Sequence, residues 1–126
     1  MPISPGDLIT ASISLIDSGA DEWSITIYDI TTRQGFQQTF TYNSSRLSAD
    51  WIVESPTVEH QVSHLANFGT VTFTNAHVKL GNNDGTIGSF SYSQVIMTNN
   101  ISLQLASVSP LSPDGSSFNV KYLKSD

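Results

Sequence analysis

The sequence predicts an all-β protein, an antiparallel β-sandwich of the jelly-roll or concanavalin-like type with two curved sheets. Apolar and polar residues alternate with a period of two in successive short runs, which is typical of half-buried strands. Turn-forming residues separate these runs roughly every 8–12 positions, the spacing of a sandwich. No internal repeat, low-complexity tract or linker divides the chain, so we expect one domain spanning residues 1–126 with about eight to ten strands.

Three strands are predicted in the first third of the chain. Residues 8–16 and 22–30 each alternate strictly, and the turn residues Asp17-Ser18-Gly19 stand between them. A tight connection then leads into residues 34–42, which we interpret as the return strand of a hairpin. Residues 43–48 are polar and are expected to form a loop.

The middle of the chain contains a dense apolar stretch, residues 48–54 (SADWIVE). Residues 50–54 are predicted to form a strand that ends before Pro56, because proline cannot donate a hydrogen bond to a ladder. The segment 65–76 (LANFGTVTFTNA) is expected to pair with it, and residues 69–78 alternate as a strand should. Residues 57–66 fit either a short helical turn or an irregular loop.

The last third of the chain is predicted to contain three or four short strands. Turn chemistry is strong in residues 81–85 (GNNDG) and again in residues 110–115. The strands predicted around these turns are residues 87–92, 94–98, 101–108 and 116–123.

The composition excludes several classes of function. The net charge is −6 and the five basic residues are scattered, so no basic patch exists that could neutralise nucleic-acid phosphates. No apolar run has the length of a membrane span, and residues 1–8 (MPISPGDL) do not have the pattern expected of a signal peptide. The chain lacks cysteine, which removes disulfides and thiolate chemistry. A surface rich in Ser, Thr and Asn suits a secreted protein in acid, because hydroxyl and amide hydrogen bonds survive when carboxylates are protonated.

Glu54 is the candidate catalytic residue. On a strand, Trp51 and Val53 would face the core, and Glu54 would therefore lie on the outer or concave face. Asp50 is not its partner, since four residues along a strand span roughly 13 Å, more than the carboxylate pair of a glycosidase allows. Glu54 must act alone or with a group from another strand. Taken by itself, a glutamate at the end of a strand is more often a solvated surface residue.

The histidines are weak candidates for metal ligands. His60 and His64 are spaced as two zinc ligands on a helix would be, but Gln61 stands where a metalloprotease needs glutamate, and on a strand the two rings are too far apart. His77 alternates with Phe73 and is expected to be a packed or hydrogen-bonded strand residue.

Two further patterns carry little weight. No serine lies in a nucleophile-elbow context, which disfavours a serine hydrolase. Several aromatic residues could form a sugar-stacking platform, although cross-strand packing is the commoner role of such residues. They are Trp23, Tyr28, Phe36, Phe40 and Tyr42.

A set of segments in order along the chain is specific enough to indicate a family. These are Ser4-Pro5-Gly6-Asp7, residues 23–29, Gln34-Gly35-Phe36, residues 49–54, residues 65–76 and Asp114-Gly115-Ser116-Ser117-Phe118. In these segments the chain resembles the glutamic peptidases (eqolisins), which are acid endopeptidases. The WIVE and NFGTVTFTNA sequences are the most specific parts, and the resemblance covers essentially the whole chain. It implies a sandwich of two antiparallel, curved sheets.

The resemblance also implies roles for particular residues. Glu54 matches the catalytic glutamate, which acts as general base toward water and then as general acid toward the leaving amine. The family's second catalytic group is a glutamine that stabilises the oxyanion, and it belongs to a segment preceding the Ser4–Asp7 turn. We match none of this chain's glutamines to it: Gln34, Gln37, Gln38, Gln61, Gln94 or Gln104. Asp50 stands where the family usually has glutamate.

Three interpretations follow, and the sequence leaves them open. The first is an acid endopeptidase acting on polypeptides, secreted, without a cofactor, and inactive alone unless the glutamine is supplied. Its expected partners are a separate N-terminal chain, or a second copy pairing at an uncovered sheet edge. The second is a non-catalytic module that binds peptide or glycan. The third is a structural domain in which Glu54 is fully exposed.

Overall fold

The computed structural model describes residues 1–125, which form ten short strands and one 3-10 helix at Ile87–Ser89. The strands are β1 (Ile9–Asp17), β2 (Glu22–Asp29), β3 (Gln34–Thr41), β4 (Thr57–Val58), β5 (Gln61–Val62), β6 (Thr70–Phe73), β7 (His77–Leu80), β8 (Asn83–Thr86), β9 (Ala106–Val108) and β10 (Phe118–Tyr122). Their ladders are antiparallel, which confirms the all-β antiparallel fold class. Over these residues no helix has both the length and the apolar character needed to span a bilayer.

The chain divides into two compact units, Met1–Leu47 and Ser48–Asp126. The expectation that residues 1–126 form a single domain stays a prediction.

The first unit is built on one three-stranded sheet in the order β1–β2–β3. All three strands predicted for this part of the chain are confirmed, and their ends differ from the predicted ones by at most one residue. The chain reverses between the strands through Asp21 and Arg33, which adopt the left-handed φ values of 50° and 59°. Such turns match the twist of the flanking strands.

Strand register sorts the side chains of this sheet into two faces of different chemistry. The mainly apolar face carries Ile9, Ala11, Ile13, Leu15, Trp23, Ile25, Ile27, Phe36 and Phe40, together with Gln34, Gln38 and Asp29. The opposite, hydroxyl-rich face includes Thr10, Ser12, Ser14, Ser24, Thr26, Gln37 and Thr39. Tyr28 also lies on the hydroxyl-rich face, where its ring covers Gly35 so closely that an added Cβ would come within 2.7 Å of it.

Asp29 ends β2 and is the largest fully buried side chain of the described residues. Its carboxylate accepts hydrogen bonds from the Thr32 hydroxyl at 2.7 Å and the Thr32 backbone N–H at 3.1 Å. These bonds hold the pKa of Asp29 below its ordinary value, with the Thr32 hydroxyl the largest cause and burial opposing it. The carboxylate thus fixes the β2–β3 turn.

Arg46 connects the segment after β3 to the β1–β2 turn. Its guanidinium forms an ion pair with Asp21, donates to the Ser18 carbonyl at 3.3 Å and lies 5.9 Å from the centre of the Trp23 ring. The Trp23 indole N–H in turn donates to the Tyr42 carbonyl at 2.9 Å. These contacts order the loop that the sequence predicts over residues 43–48.

The second unit has its own small core next to the sheet β6–β10–β9. Leu65, Leu105, Ala106 and Val120 are buried there. In the register of this sheet Val71 lies opposite Val120, and Phe73 stacks on Phe118 with ring centres 4.9 Å apart. These contacts pair two distant segments of the chain, so the predicted final strand within residues 116–123 is confirmed.

The prediction of a strand over residues 50–54 is wrong, and so is its pairing with the segment 65–76. Residues 50–54 have no regular secondary structure. β6, which lies in that segment, pairs with β10 and is an edge strand of its sheet, so residues 50–54 do not occupy its other side. The burial pattern nevertheless follows the predicted alternation, since Trp51 and Val53 are half-buried whereas Ile52 and Glu54 are exposed.

The single strand predicted over residues 69–78 is two strands. It breaks after β6 because Asn75 is left-handed, with φ 53°, and because the N–H of the buried Ala76 donates to the Ser116 carbonyl at 2.8 Å. The chain then continues as β7, which pairs with β8. The loop predicted over residues 81–85 is accordingly shorter than expected.

Other predictions for the second unit need correction as well. Residues 57–66, which the sequence left open, contain the two-residue hairpin β4–β5. The strand predicted over 87–92 is replaced by the 3-10 helix, and that over 94–98 is reduced to a bridge between Thr98 and Gln104. Only β9 forms within the strand predicted over 101–108. Short apolar runs without a strict period do not specify a ladder.

The turn predicted over residues 110–115 is confirmed, and Asp114 organises it. Its carboxylate accepts from the Ser112 hydroxyl at 2.5 Å, and from the Ser116 hydroxyl and N–H at 2.8 and 3.1 Å. Gly115 has φ +71° and packs against Gly88, where an added Cβ would meet the Gly88 Cα at 2.7 Å. Only glycine fits this contact between the turn and the 3-10 helix.

The hydrogen bonds to Asp114 predict a dependence of stability on pH. The Ser112 hydroxyl, followed by the Ser116 N–H and hydroxyl, lowers the pKa of Asp114 below 3.8 in the folded state. A depressed carboxylate pKa stabilises the fold above the pKa of the unfolded chain, and this contribution is lost as pH falls through the folded value. Asp114→Asn should therefore lower the melting temperature at pH 6, and the difference from the parent should shrink as pH falls below about 4. Thermal unfolding followed by circular dichroism between pH 6 and 2 measures this, and a constant difference would contradict it.

Candidate functional site

Glu54 lies in the second unit, on an irregular segment that the core holds at one point. Val53, directly before it, is half-buried and packs against the cluster of Leu65, Leu105, Ala106 and Val120. After it, the Pro56 carbonyl accepts hydrogen bonds from the Ser63 N–H at 3.0 Å and the Ser63 hydroxyl at 2.9 Å. These two bonds close the β4–β5 hairpin, so Glu54 stands between a packed anchor and a closed hairpin.

The Glu54 side chain is exposed to solvent. Within residues 1–125 it forms no hydrogen bond or ion pair, although many other carboxylates of the chain do. Asp50, predicted to be unsuitable as its partner, is likewise exposed. The Glu54 carboxylate is accordingly accessible to water or to a group from another molecule. Nothing in its surroundings assigns it a role by geometry alone.

Within residues 1–125 the histidines are not grouped with carboxylates in the way a metal site requires. Among the described residues no group of three or more His, Asp or Glu side chains is placed to hold a metal ion. His60 occupies the β4–β5 turn with φ 67°, and His64 follows β5, so the pair does not share a helix face. His77 bridges β7 and β8 by pairing with Asp84 at 2.9 Å, which confirms the expectation of a hydrogen-bonded strand residue.

The aromatic residues of the first unit do not form one platform. Trp23, Phe36 and Phe40 belong to the apolar face, and Tyr28 lies on the hydroxyl-rich face. Tyr42 stands beyond the end of β3. A sugar-stacking strip would need them on one side of the sheet, so this arrangement does not support it.

Two shallow depressions occur in the second unit that sequence reasoning did not single out. One of about 190 Å³ is lined by Thr72, Ser109, Pro110, Leu111, Ser112, Ser117, Phe118 and Asn119. The other, of about 510 Å³, is lined by Asn82, Asn83, Asp84, Ser89 and Phe90. Glu54 lines neither of them. More than half of these lining residues lie outside the strands, and no motif in the sequence marks them as a site.

Comparison with known proteins gives a consistent result. The model of the Peptidase A4 family matches residues 1–122. Aspergillopepsin-2 of Aspergillus niger is 34% identical to the chain over 83 residues, which are 63% of this chain and 29% of that protein. The crystal structure of aspergilloglutamic peptidase from Aspergillus niger matches with a TM-score of 0.82 and 27% identity, over 98% of this chain and 70% of that one.

The fold and the family match together define the class of the protein. It has the all-β fold of a solved glutamic peptidase, and the sandwich fold class predicted from the sequence is confirmed by that match. The chain belongs to the Peptidase A4 family. The predicted resemblance to glutamic peptidases is thus confirmed, while the aligned part spans less than a third of the length of aspergillopepsin-2.

The anchoring of Glu54 by its neighbour can be tested through stability. Val53→Ala removes two methyl groups from a half-buried contact with the core and should cost about 1 kcal/mol of unfolding free energy. Ile52→Ala is the matched control, because Ile52 is 64% exposed and its truncation should change stability by less than about 0.5 kcal/mol. Urea unfolding of both variants measures the two values. Equal losses would show that Val53 is not the anchor.

Proposed function

We propose that this chain is the larger, C-terminal part of an acid endopeptidase of the glutamic-peptidase type, with Glu54 as its catalytic carboxylate. The observation that carries the proposal is the match of residues 1–122 to a peptidase family, in which Glu54 closes the WIVE segment that most specifically resembles the family's catalytic motif. The geometry is compatible with this role. The carboxylate is exposed and unpaired within residues 1–125, and the core fixes the segment through Val53.

The reaction proposed for Glu54 is hydrolysis of a peptide bond by water. The ionised carboxylate takes a proton from water as the water oxygen bonds to the scissile carbonyl carbon. The resulting tetrahedral intermediate carries a negative oxygen, which needs a hydrogen-bond donor. The Glu54 carboxyl then gives its proton to the leaving amine as the C–N bond breaks. The carboxylate is regenerated, and no cofactor is consumed.

The oxyanion donor is proposed to be a glutamine outside the matched segments. None of the glutamines in this sequence matches the family's catalytic one, and aspergilloglutamic peptidase is longer than the part aligned with this chain. A preceding segment or a separate N-terminal chain would supply the amide. The activity and polypeptide substrate of the whole protein, and its secretion, therefore rest on the resemblance and are part of the proposal.

Binding of peptide or glycan by a non-catalytic module is the less favoured function. A binding module of this kind is expected to have an exposed strip of aromatic residues near Glu54. Trp23 and Tyr28 point to opposite sides of their sheet, so the aromatic residues do not form one strip.

Proteolysis of a denatured protein substrate between pH 2 and 7 tests the proposal. The chain is assayed alone and with the relatives' N-terminal segment added in trans, beside Glu54→Gln and the control Glu59→Gln. Glu59 is an exposed glutamate in the β4–β5 turn, so its amide variant makes the same change in charge five residues away. We expect acid cleavage that Glu54→Gln reduces by at least about 100-fold and Glu59→Gln leaves unchanged.

Two outcomes would contradict the assignment. Cleavage that survives in Glu54→Gln would show that another group activates the water. An absence of cleavage by the parent chain, even with the segment added and bound, would show that the chain is not part of a working peptidase.

A further inference from the structure

The smaller of the two depressions, of about 190 Å³, is lined by residues of β6, of β10 and of the segment that follows β9. All of these residues belong to the second unit, and none of them is charged. Ser109 ties the segment to β10, because its N–H donates to the Asn119 backbone carbonyl at 2.9 Å and its hydroxyl accepts from the Asn119 backbone N–H at 3.0 Å. The shape of the depression is therefore set by contacts within one unit.

Two hydroxyl groups on the strand side of the depression are already engaged as donors. The Thr72 hydroxyl donates to the side-chain oxygen of Asn119 at 2.7 Å. The Ser109 hydroxyl donates to the Pro110 carbonyl at 2.8 Å. A hydroxyl has one proton to donate, so neither group has a donor left for a ligand.

The two hydroxyl groups on the turn side are engaged in the same way. The Ser112 hydroxyl donates to the Asp114 carboxylate at 2.5 Å. The Ser117 hydroxyl lies 3.2 Å from the Ser116 hydroxyl, which itself donates to Asp114 at 2.8 Å. Because the Ser116 proton is used there, Ser117 is the donor in the contact between the two serines.

The side-chain amide of Asn119 differs from these hydroxyl groups, since its N–H donors have no partner among residues 1–125. Its oxygen accepts from the Thr72 hydroxyl, which fixes the orientation of the amide and leaves the NH₂ group as the free part. The free side-chain donors of the depression are thus concentrated on one residue. They match a ligand that brings a carbonyl oxygen.

The size and lining of the depression favour one residue of a polypeptide as that ligand. Sites for whole small molecules have volumes of roughly 300–1,000 Å³, so this smaller space accommodates one part of a longer chain. Pro110, Leu111 and Phe118 supply apolar surface for a side chain. A peptide group is neutral and offers one carbonyl. A sugar instead presents several hydroxyl groups, each of which needs a partner when it is taken out of water.

We propose that this depression binds one residue of the polypeptide substrate, with the Asn119 side-chain amide donating to a backbone carbonyl of that residue. The side chain of the bound residue would contact Leu111 and Phe118. The inference rests on the proposed function for the identity of the bound chain, while the contact itself needs no action of Glu54. Asn119 would hold the substrate without taking part in bond cleavage.

An NMR titration of the ¹⁵N-labelled chain with a neutral capped peptide, acetyl-Gly-Leu-Gly-amide, tests this site. We expect the Asn119 side-chain N–H resonances to shift saturably with a Kd of about 1–10 mM, as suits a contact of this small size. Asn119→Asp keeps the oxygen that accepts from Thr72 and removes the donors. It should weaken binding at least about tenfold, followed by the backbone resonances of Ser112 and Ser117.

Asn67→Asp is the matched control for the change in charge. The Asn67 side-chain oxygen also accepts one hydrogen bond, from the Gly69 N–H at 3.0 Å, and Asn67 does not line the depression. This variant should change the Kd by less than about twofold. Cellobiose, a disaccharide, is titrated in parallel and should leave the Asn119 resonances unchanged.

Three results would overturn the proposal. They are the absence of a saturable shift with the peptide up to about 50 mM, a shift of the Asn119 resonances by cellobiose at the same concentrations, and equal weakening by the two asparagine variants. If Asn119→Asp did not fold, the titration of the parent chain would still decide. No bond is cleaved in this experiment, so its failure is distinct from a failure of the catalytic role proposed for Glu54.

Discussion

The pairing of β6 with β10 is the interaction on which the second unit depends. It joins segments nearly fifty residues apart, through the opposed residues Val71 and Val120 and the stacked rings of Phe73 and Phe118. Once this ladder forms, Val120 completes the buried cluster against which Val53 packs. The position of the Glu54 segment is therefore a consequence of a contact made by other strands.

The same pairing explains where sequence reasoning succeeded and where it failed. Periodicity predicted β1, β2 and β3 to within one residue, because these neighbours in sequence are also neighbours in the sheet. Residues 50–54 carry the right alternation of burial but form no ladder, and the strand expected to pair with them, β6, pairs only with the distant β10 among the described strands. Long-range partner choice depends on packing across the whole unit, and a local pattern does not encode it.

The role of Glu54 could likewise be predicted only in part from the sequence. Resemblance to a family singled out Glu54, whereas spacing and residue type alone would have favoured a solvated surface glutamate. The structure gives the segment an anchor and a free carboxylate, and it assigns no partner to that carboxylate within residues 1–125. Side chains such as Asp114 and Asp29 are better connected, yet their hydrogen bonds are all used to fix turns. The carboxylates with the most hydrogen bonds here stabilise turns, and the proposed catalytic carboxylate is one of several in the described residues that have none.

The most direct test of this account is the response of the Glu54 carboxyl group to a transition-state analogue. The chain has only three glutamates, Glu22, Glu54 and Glu59, so selective ¹³C labelling gives three carboxyl resonances. A peptide phosphinate, which mimics the tetrahedral intermediate, is added to the chain together with the relatives' N-terminal segment. The account predicts that the Glu54 resonance shifts and that those of Glu22 and Glu59 do not. Saturable binding of the phosphinate with an unchanged Glu54 resonance would contradict it.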